Sequence, residues 1–111
     1  MITEIKTEKQ LHDLEQAYFD ALNYALDFIN IPDGGTCNFD DCVLMVKIPK
    51  RLRENSKLKL HKMEYGVCRG GYWFGNTPQV GQGDRNTTLQ EHICNKLIAS
   101  GYNAVMYYQI D

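Results

Sequence analysis

The chain has no apolar run near the length of a membrane span, and its start, Met1-Ile2-Thr3-Glu4, does not resemble a leader peptide. A cytoplasmic protein with no membrane partner is therefore expected. There is also no excess of positive charge. Twelve Lys and Arg stand against fourteen Asp and Glu, for a net charge of −2. Neutralising many phosphates needs such an excess, so broad nucleic-acid binding is not expected. A small anionic ligand needs only a few cations in one place and stays open. Histidine is scarce and scattered (His12, His61, His92), and Cys37, Cys42, Cys68 and Cys94 show no C-x-x-C spacing. Buried free thiols are the better reading of the cysteines, and neither a metal nor a cofactor is expected. Repeats, linkers and low-complexity segments are absent. What remains is a chain of 111 residues, 43% hydrophobic and 23% charged, which suits one globular domain over 1–111 that is small for a self-contained enzyme.

The first periodic segment runs from residue 7 to residue 30. Leu11, Leu14, Tyr18, Ala21, Ala25 and Phe28 recur at three- and four-residue steps, and Leu22 and Ile29 widen the stripe. Thr7 with Gln10 forms a capping box at its start. Phe19 and Leu26 fall off the stripe. Either a second copy of the chain covers them or the helix is wedged deep in its own domain, and the sequence favours neither. Ile31-Pro32-Asp33-Gly34-Gly35 stops the helix.

Cys42 to Ile48 is an almost unbroken apolar run, suited to a strand covered on both faces. Asp40 and Asp41 at its mouth read as turn residues rather than a paired catalytic site, because neighbours in a strand point opposite ways. Pro49 to about Leu60 carries five of the twelve cations, Lys50, Arg51, Arg53, Lys57 and Lys59, and reads as a short basic helix. Its default role is a solvated face. Tyr65 to Phe74 reads as a strand weakened by glycines, Thr88 to Ser100 as a helix ended by Gly101, and Asn103 to Ile110 as a closing strand. The order predicts an α+β domain: a long N-terminal helix and a small, mostly antiparallel sheet with helices packed against it.

Two neighbouring stretches carry the chemistry. In Val80-Gly81-Gln82-Gly83-Asp84-Arg85-Asn86-Thr87-Thr88, a glycine loop leads to a helix start, where Thr88 with Glu91 or Thr87 with Gln90 would supply a capping box. Arg85, placed just before a helix N-terminus, would meet a phosphate together with the free N–H groups there. No Lys follows to complete a P-loop, and the loop alone reads as a well-capped turn. Upstream, Gly70-Gly71-Tyr72-Trp73-Phe74-Gly75-Asn76 sets three aromatics between glycines, a surface on which a base can stack.

With Asp33-Gly34-Gly35-Thr36-Cys37-Asn38-Phe39-Asp40, Gly81-Gln82-Gly83-Asp84-Arg85 and the ending Gly101-Tyr102-Asn103-Ala104-Val105-Met106-Tyr107-Tyr108-Gln109, the chain resembles a family of small phage and prophage proteins, the Thoeris anti-defence sponges. The likeness runs from the Gly-Gly turn to the C-terminus, and Gly-Gly-Thr-Cys-Asn-Phe-Asp is its most specific piece. It implies a non-enzymatic protein that sequesters cyclic ADP-ribose-type immune signals without cleaving them. It also implies a homo-oligomer, a dimer or higher, with the ligand near a protomer interface, acting in the host cytoplasm. In some members a second site takes cyclic oligonucleotides. Carried onto this chain, the resemblance makes Trp73 or Phe74 the adenine-stacking ring, Asn76, Gln82 and Asn86 hydrogen-bonding groups and Arg85 the phosphate contact. Gly34, Gly35 and Arg53 are the candidate second site. No Lys or Arg follows Lys96, so a cation supplied from the last strand is lacking here.

Two other function classes compete. A small metal-dependent hydrolase or nuclease would need two of Asp40, Asp41, Glu64 and Asp84 to converge on one ion. A phage inhibitor of a host protein would use the Tyr- and Trp-rich surface as its anchor.

Overall fold

The computed structural model describes residues 1–29, 40–78, 80 and 84–108. The helix-stop turn, the Gly34-Gly35 pair, Cys37, the Gly81-Gln82-Gly83 loop and the last three residues lie outside them. The fold is α+β. A long helix α1 (Glu8–Leu26) precedes β1 (Asp41–Leu44), α2 (Lys50–Glu54), β2 (Leu60–Lys62), β3 (Tyr72–Phe74), α3 (Asp84–Ala99) and β4 (Ala104–Tyr107). The strands form one antiparallel sheet in the order β2-β3-β1-β4.

The start of α1 is fixed locally. The Gln10 N–H donates to Thr7 Oγ1 at 3.1 Å and the Thr7 N–H donates to Gln10 Oε1 at 3.1 Å, closing the expected capping box. Leu11, Leu14, Tyr18, Ala21 and Ala25 form its buried face, as their spacing predicts. Phe28 does not join them and is 41% exposed, because the helix ends at Leu26. Phe19, Leu22 and Leu26 pack against the same core and are each half-buried there. Part of their surface is thus taken up by the chain's own core.

The apolar run after Asp40 divides its side chains between two sheet faces. Cys42 and Leu44 join Tyr72, Phe74 and Ala104 on the side that α1 and α3 cover. Val43 and Met45 turn the other way with Trp73 and Tyr107, where Met63 and Cys68 cover them. Regular pairing stops at Leu44, and the N-terminal segment then takes up the free groups. The Lys47 N–H donates to Thr3 O at 2.9 Å, and the Ile5 N–H donates to Lys47 O at 2.8 Å.

The segment read as one strand from Tyr65 is instead half of a hairpin. β2 pairs with β3 through Leu60↔Phe74, His61↔Trp73 and Lys62↔Tyr72, and residues 63–71 form the connection. Its sequence hides the strand, since Lys57, Lys59, His61 and Lys62 are polar and β2 is an edge with two exposed residues of three. The basic helix is correspondingly short. It ends at Glu54, and the chain leaving it is held to α1 by the buried carboxylate of Glu15, which accepts from Ser56 Oγ at 2.9 Å and from the Lys57 N–H at 2.7 Å. Gly71 must lack a side chain, because a Cβ there would stand 2.5 Å from Met45 Sδ and 2.6 Å from Val43 Cγ1.

At the end of α3, Gly101 has φ 98°, and the N–H groups of Gly101 and Tyr102 donate to Ile98 O and Leu97 O at 2.9 and 3.0 Å. This pair of bonds is a Schellman motif, and it turns the chain back into β4.

Candidate functional site

The start of α3 differs from the expectation and changes the geometry around Arg85. The helix begins at Asp84, five residues before Leu89, the first apolar position of its stripe. Arg85 is therefore in the first turn rather than upstream of it, and Thr87 and Thr88 are inside the helix rather than capping it. Asn86 and Thr87 reach across to the chain before β1. Thr87 Oγ1 donates to Asp40 Oδ2 at 2.7 Å, and Asn86 Nδ2 donates to Asp40 O at 3.1 Å. One turn on, the buried Gln90 accepts the Cys42 N–H on Oε1 at 3.0 Å. Three polar residues of α3 thus hold the mouth of β1, and Asp40 is the buried acid they surround.

Asp41 sits beside this junction, half-buried. Its carboxyl is pushed up from 3.8 to about 6, first by burial and then by the charge of Asp40. The Cys42 thiol is pushed up by its hydrogen bond with Cys94 and by burial, and Cys94 is moved down by the same bond. Cys42, Cys68 and Cys94 are buried free thiols. No group of three or more His, Cys, Asp or Glu is placed to hold a metal among the described residues.

The aromatic triplet splits by alternation. Tyr72 and Phe74 are each 5% exposed on the helix side. Phe74 stacks on Tyr18 with centroids 4.3 Å apart, so it offers no ring face to a ligand. Trp73 is on the outer face of the sheet, half-buried and stacked on His61 at 4.3 Å. Of the two rings named from sequence, Trp73 is the accessible one. It lies on the opposite face of the sheet from α3, which carries Arg85 and Asn86.

Asn76 is spent on the fold. Its Oδ1 accepts the Lys59 N–H at 2.6 Å and its Nδ2 donates to Lys57 O at 3.1 Å, which ties the chain before β2 to the chain after β3. Arg53 donates from Nε to Ile48 O at 3.0 Å, and its guanidinium lies 5.4 Å from the centre of the Tyr72 ring. Gln82, Gly34 and Gly35 lie outside the described residues. One chain therefore brings Arg85 and Asn86 together and leaves Trp73, Asn76 and Arg53 elsewhere.

Sequence reasoning missed an open cleft of about 450 Å³ between the N-terminal segment and the β2–β3 hairpin, lined by Glu4, Lys47, Ile48, Pro49, Lys62, Gly70 and Tyr72. The basic run marked this end of the molecule through Arg53, but Lys47 and Lys62 stand outside that run. The pairing of β2 with β3 sets Lys62 at the cleft, and the bonds to Thr3 and Ile5 set Lys47 there. No family model, curated protein or solved structure matches the chain.

Proposed function

We propose that the protein is a non-enzymatic sponge that binds and sequesters a cyclic ADP-ribose-type signalling nucleotide, as the resemblance to the Thoeris anti-defence proteins implies. The observation that carries this is the place of Arg85, in the first turn of a 16-residue helix that follows directly on Gly81-Gln82-Gly83. The first-turn N–H groups of a helix lack intrahelical partners and attract anions. A phosphate brought to this turn would meet the Arg85 guanidinium and the positive end of the helix dipole together. Arg85 is half-buried, which strengthens such a contact.

Trp73 supports the stacking role as the ring with access from the outer face. It and Arg85 occupy opposite faces of the sheet in one chain, so a single nucleotide meeting both would join two copies. A dimer or higher oligomer is part of the proposal for that reason. Cyclic oligonucleotides remain the ligand class for a second site at Gly34, Gly35 and Arg53.

The test is titration calorimetry with a cyclic ADP-ribose isomer, followed by denaturation and mass spectrometry of the released ligand. A sponge binds it and returns it intact. Absence of binding removes the proposal, and a hydrolysed product replaces it with the hydrolase.

A further inference from the structure

We infer that the cleft between the N-terminal segment and the β2–β3 hairpin binds a small phosphorylated molecule, with its phosphate between Lys47 and Lys62. The site is separate from the Arg85 turn, and it shares Arg53 alone with the second nucleotide site proposed above.

Both lysines project from fixed backbone. Lys62 is paired with Tyr72 across β2 and β3, so its side chain rises on the same face as the Tyr72 ring. Lys47 is held on its N–H by Thr3 O and on its carbonyl by the Ile5 N–H. Lys47 and Lys62 both line one cleft. Neither forms an ion pair among the described residues, where the pairs are Lys6–Glu4, Lys9–Asp13 and Lys50–Glu54. Two lysines against one Glu4 carboxylate leave the cleft lining with net positive charge, which attracts an anion. Arg53, bonded to Ile48 O and lying over Tyr72, adds a fixed positive charge beside the cleft, since both of those residues line it.

The rest of the lining defines the body of the ligand. Ile48, Pro49 and Tyr72 give an apolar wall, and Gly70, with open space where a Cβ would stand, leaves room beside it. Glu4 contributes a carboxylate, which accepts hydroxyl donors and repels a second anionic group. That combination selects a monophosphate with a neutral hydroxylated body over a polyphosphate. The volume is within the range of small-molecule sites.

The experiment follows backbone amide shifts by NMR while the full chain is titrated with ribose 5-phosphate, inorganic phosphate or ribose. The inference expects shifts at Lys47, Ile48, Lys62 and Gly70 with ribose 5-phosphate, weaker binding of inorganic phosphate at the same amides, and none with ribose. Lys47→Ala and Lys62→Ala should each weaken ribose 5-phosphate about ten-fold. Both residues are exposed, so the variants should keep the melting temperature of the unmodified chain. Arg85→Ala should bind ribose 5-phosphate unchanged, which separates failure here from failure of the sponge. Equal affinity of the two lysine variants and the unmodified chain, or shifts confined to other amides, would overturn the site. Inorganic phosphate binding as tightly as ribose 5-phosphate would overturn the assigned body and reduce the cleft to an anion site.

Discussion

Tyr18 of α1 and Phe74 of β3 stack with their planes 22° apart, and the Tyr18 hydroxyl shares a 2.6 Å hydrogen bond with Thr77 just beyond the strand. Burial pushes that hydroxyl up to about 12, so it stays protonated across the physiological range. The contact locks the long helix to the sheet through one strand residue and one turn residue.

Phe74 is consequently a stability residue. Phe74→Ala should cost about 3–5 kcal/mol in urea unfolding, the range for deleting a buried aromatic. Trp73→Ala should cost less, since Trp73 is half-buried under the smaller cluster. The reverse order would mean that the two faces of β3 have been exchanged.

Gln90 joins α3 to β1 in a similar way, but through a polar contact. Gln90→Leu keeps the approximate volume and leaves the Cys42 N–H without its acceptor in the core. An unpartnered buried amide costs about 1–3 kcal/mol. Hydrogen exchange should show the Cys42 amide losing protection more than its neighbours. Unchanged stability and protection in Gln90→Leu would show that the bond is dispensable.

The legible parts of the fold were those where local chemistry and tertiary packing agree. Thr7 with Gln10, the Leu11-Leu14-Tyr18-Ala21-Ala25 stripe and Gly101 each declare themselves within a few residues and keep their roles in the structure. β2 and the first turn of α3 did not show. Leu60 is the lone apolar residue of β2, so no alternation can mark it. At Asp84-Arg85-Asn86-Thr87, residues suited to caps bind Asp40, which lies 46 and 47 positions from Asn86 and Thr87. A local pattern cannot report a partner so distant in sequence. The candidate site suffered for the same reason. Trp73 and Arg85 are twelve residues apart, but strand alternation and the packing of α3 send them to opposite faces.

Asp41 should make stability depend on pH in a definite direction. Its folded-state value, about 6, is above the value of 3.8 for an unperturbed carboxyl. The folded chain then holds a proton that the unfolded chain releases between those values, so stability falls as pH rises through this window. The favourable contribution is fully present below the unfolded value and gone above the folded one. Asp41→Asn removes the loss. Thermal melts should show the variant gaining on the unmodified chain from about pH 4 to about pH 7. A constant difference over that range would show that Asp41 ionises normally.

The opposed positions of Trp73 and Arg85 give the sponge proposal its strictest test. Trp73→Ala and Arg85→Ala should each weaken binding of a cyclic ADP-ribose isomer, by about 1–3 kcal/mol for a lost stacking ring and about 1.5–3 kcal/mol for a lost charge-assisted contact. If one ligand meets Trp73 of one copy and Arg85 of another, mixing the two variants must rescue binding. In a mixed dimer the Trp73→Ala chain supplies Arg85 and its mate supplies Trp73, so one site of two is whole. Random mixing makes half of the dimers mixed, so about a quarter of all sites should regain full affinity. Calorimetry of the equilibrated mixture reads this as a tight phase of that stoichiometry, and sedimentation of the unmodified chain should show at least a dimer. A monomer, or weakened single variants that do not complement each other, would rule out a ligand shared between copies. Full affinity in Arg85→Ala alone would remove the phosphate role of the first turn of α3, and with it the observation on which the proposed function rests.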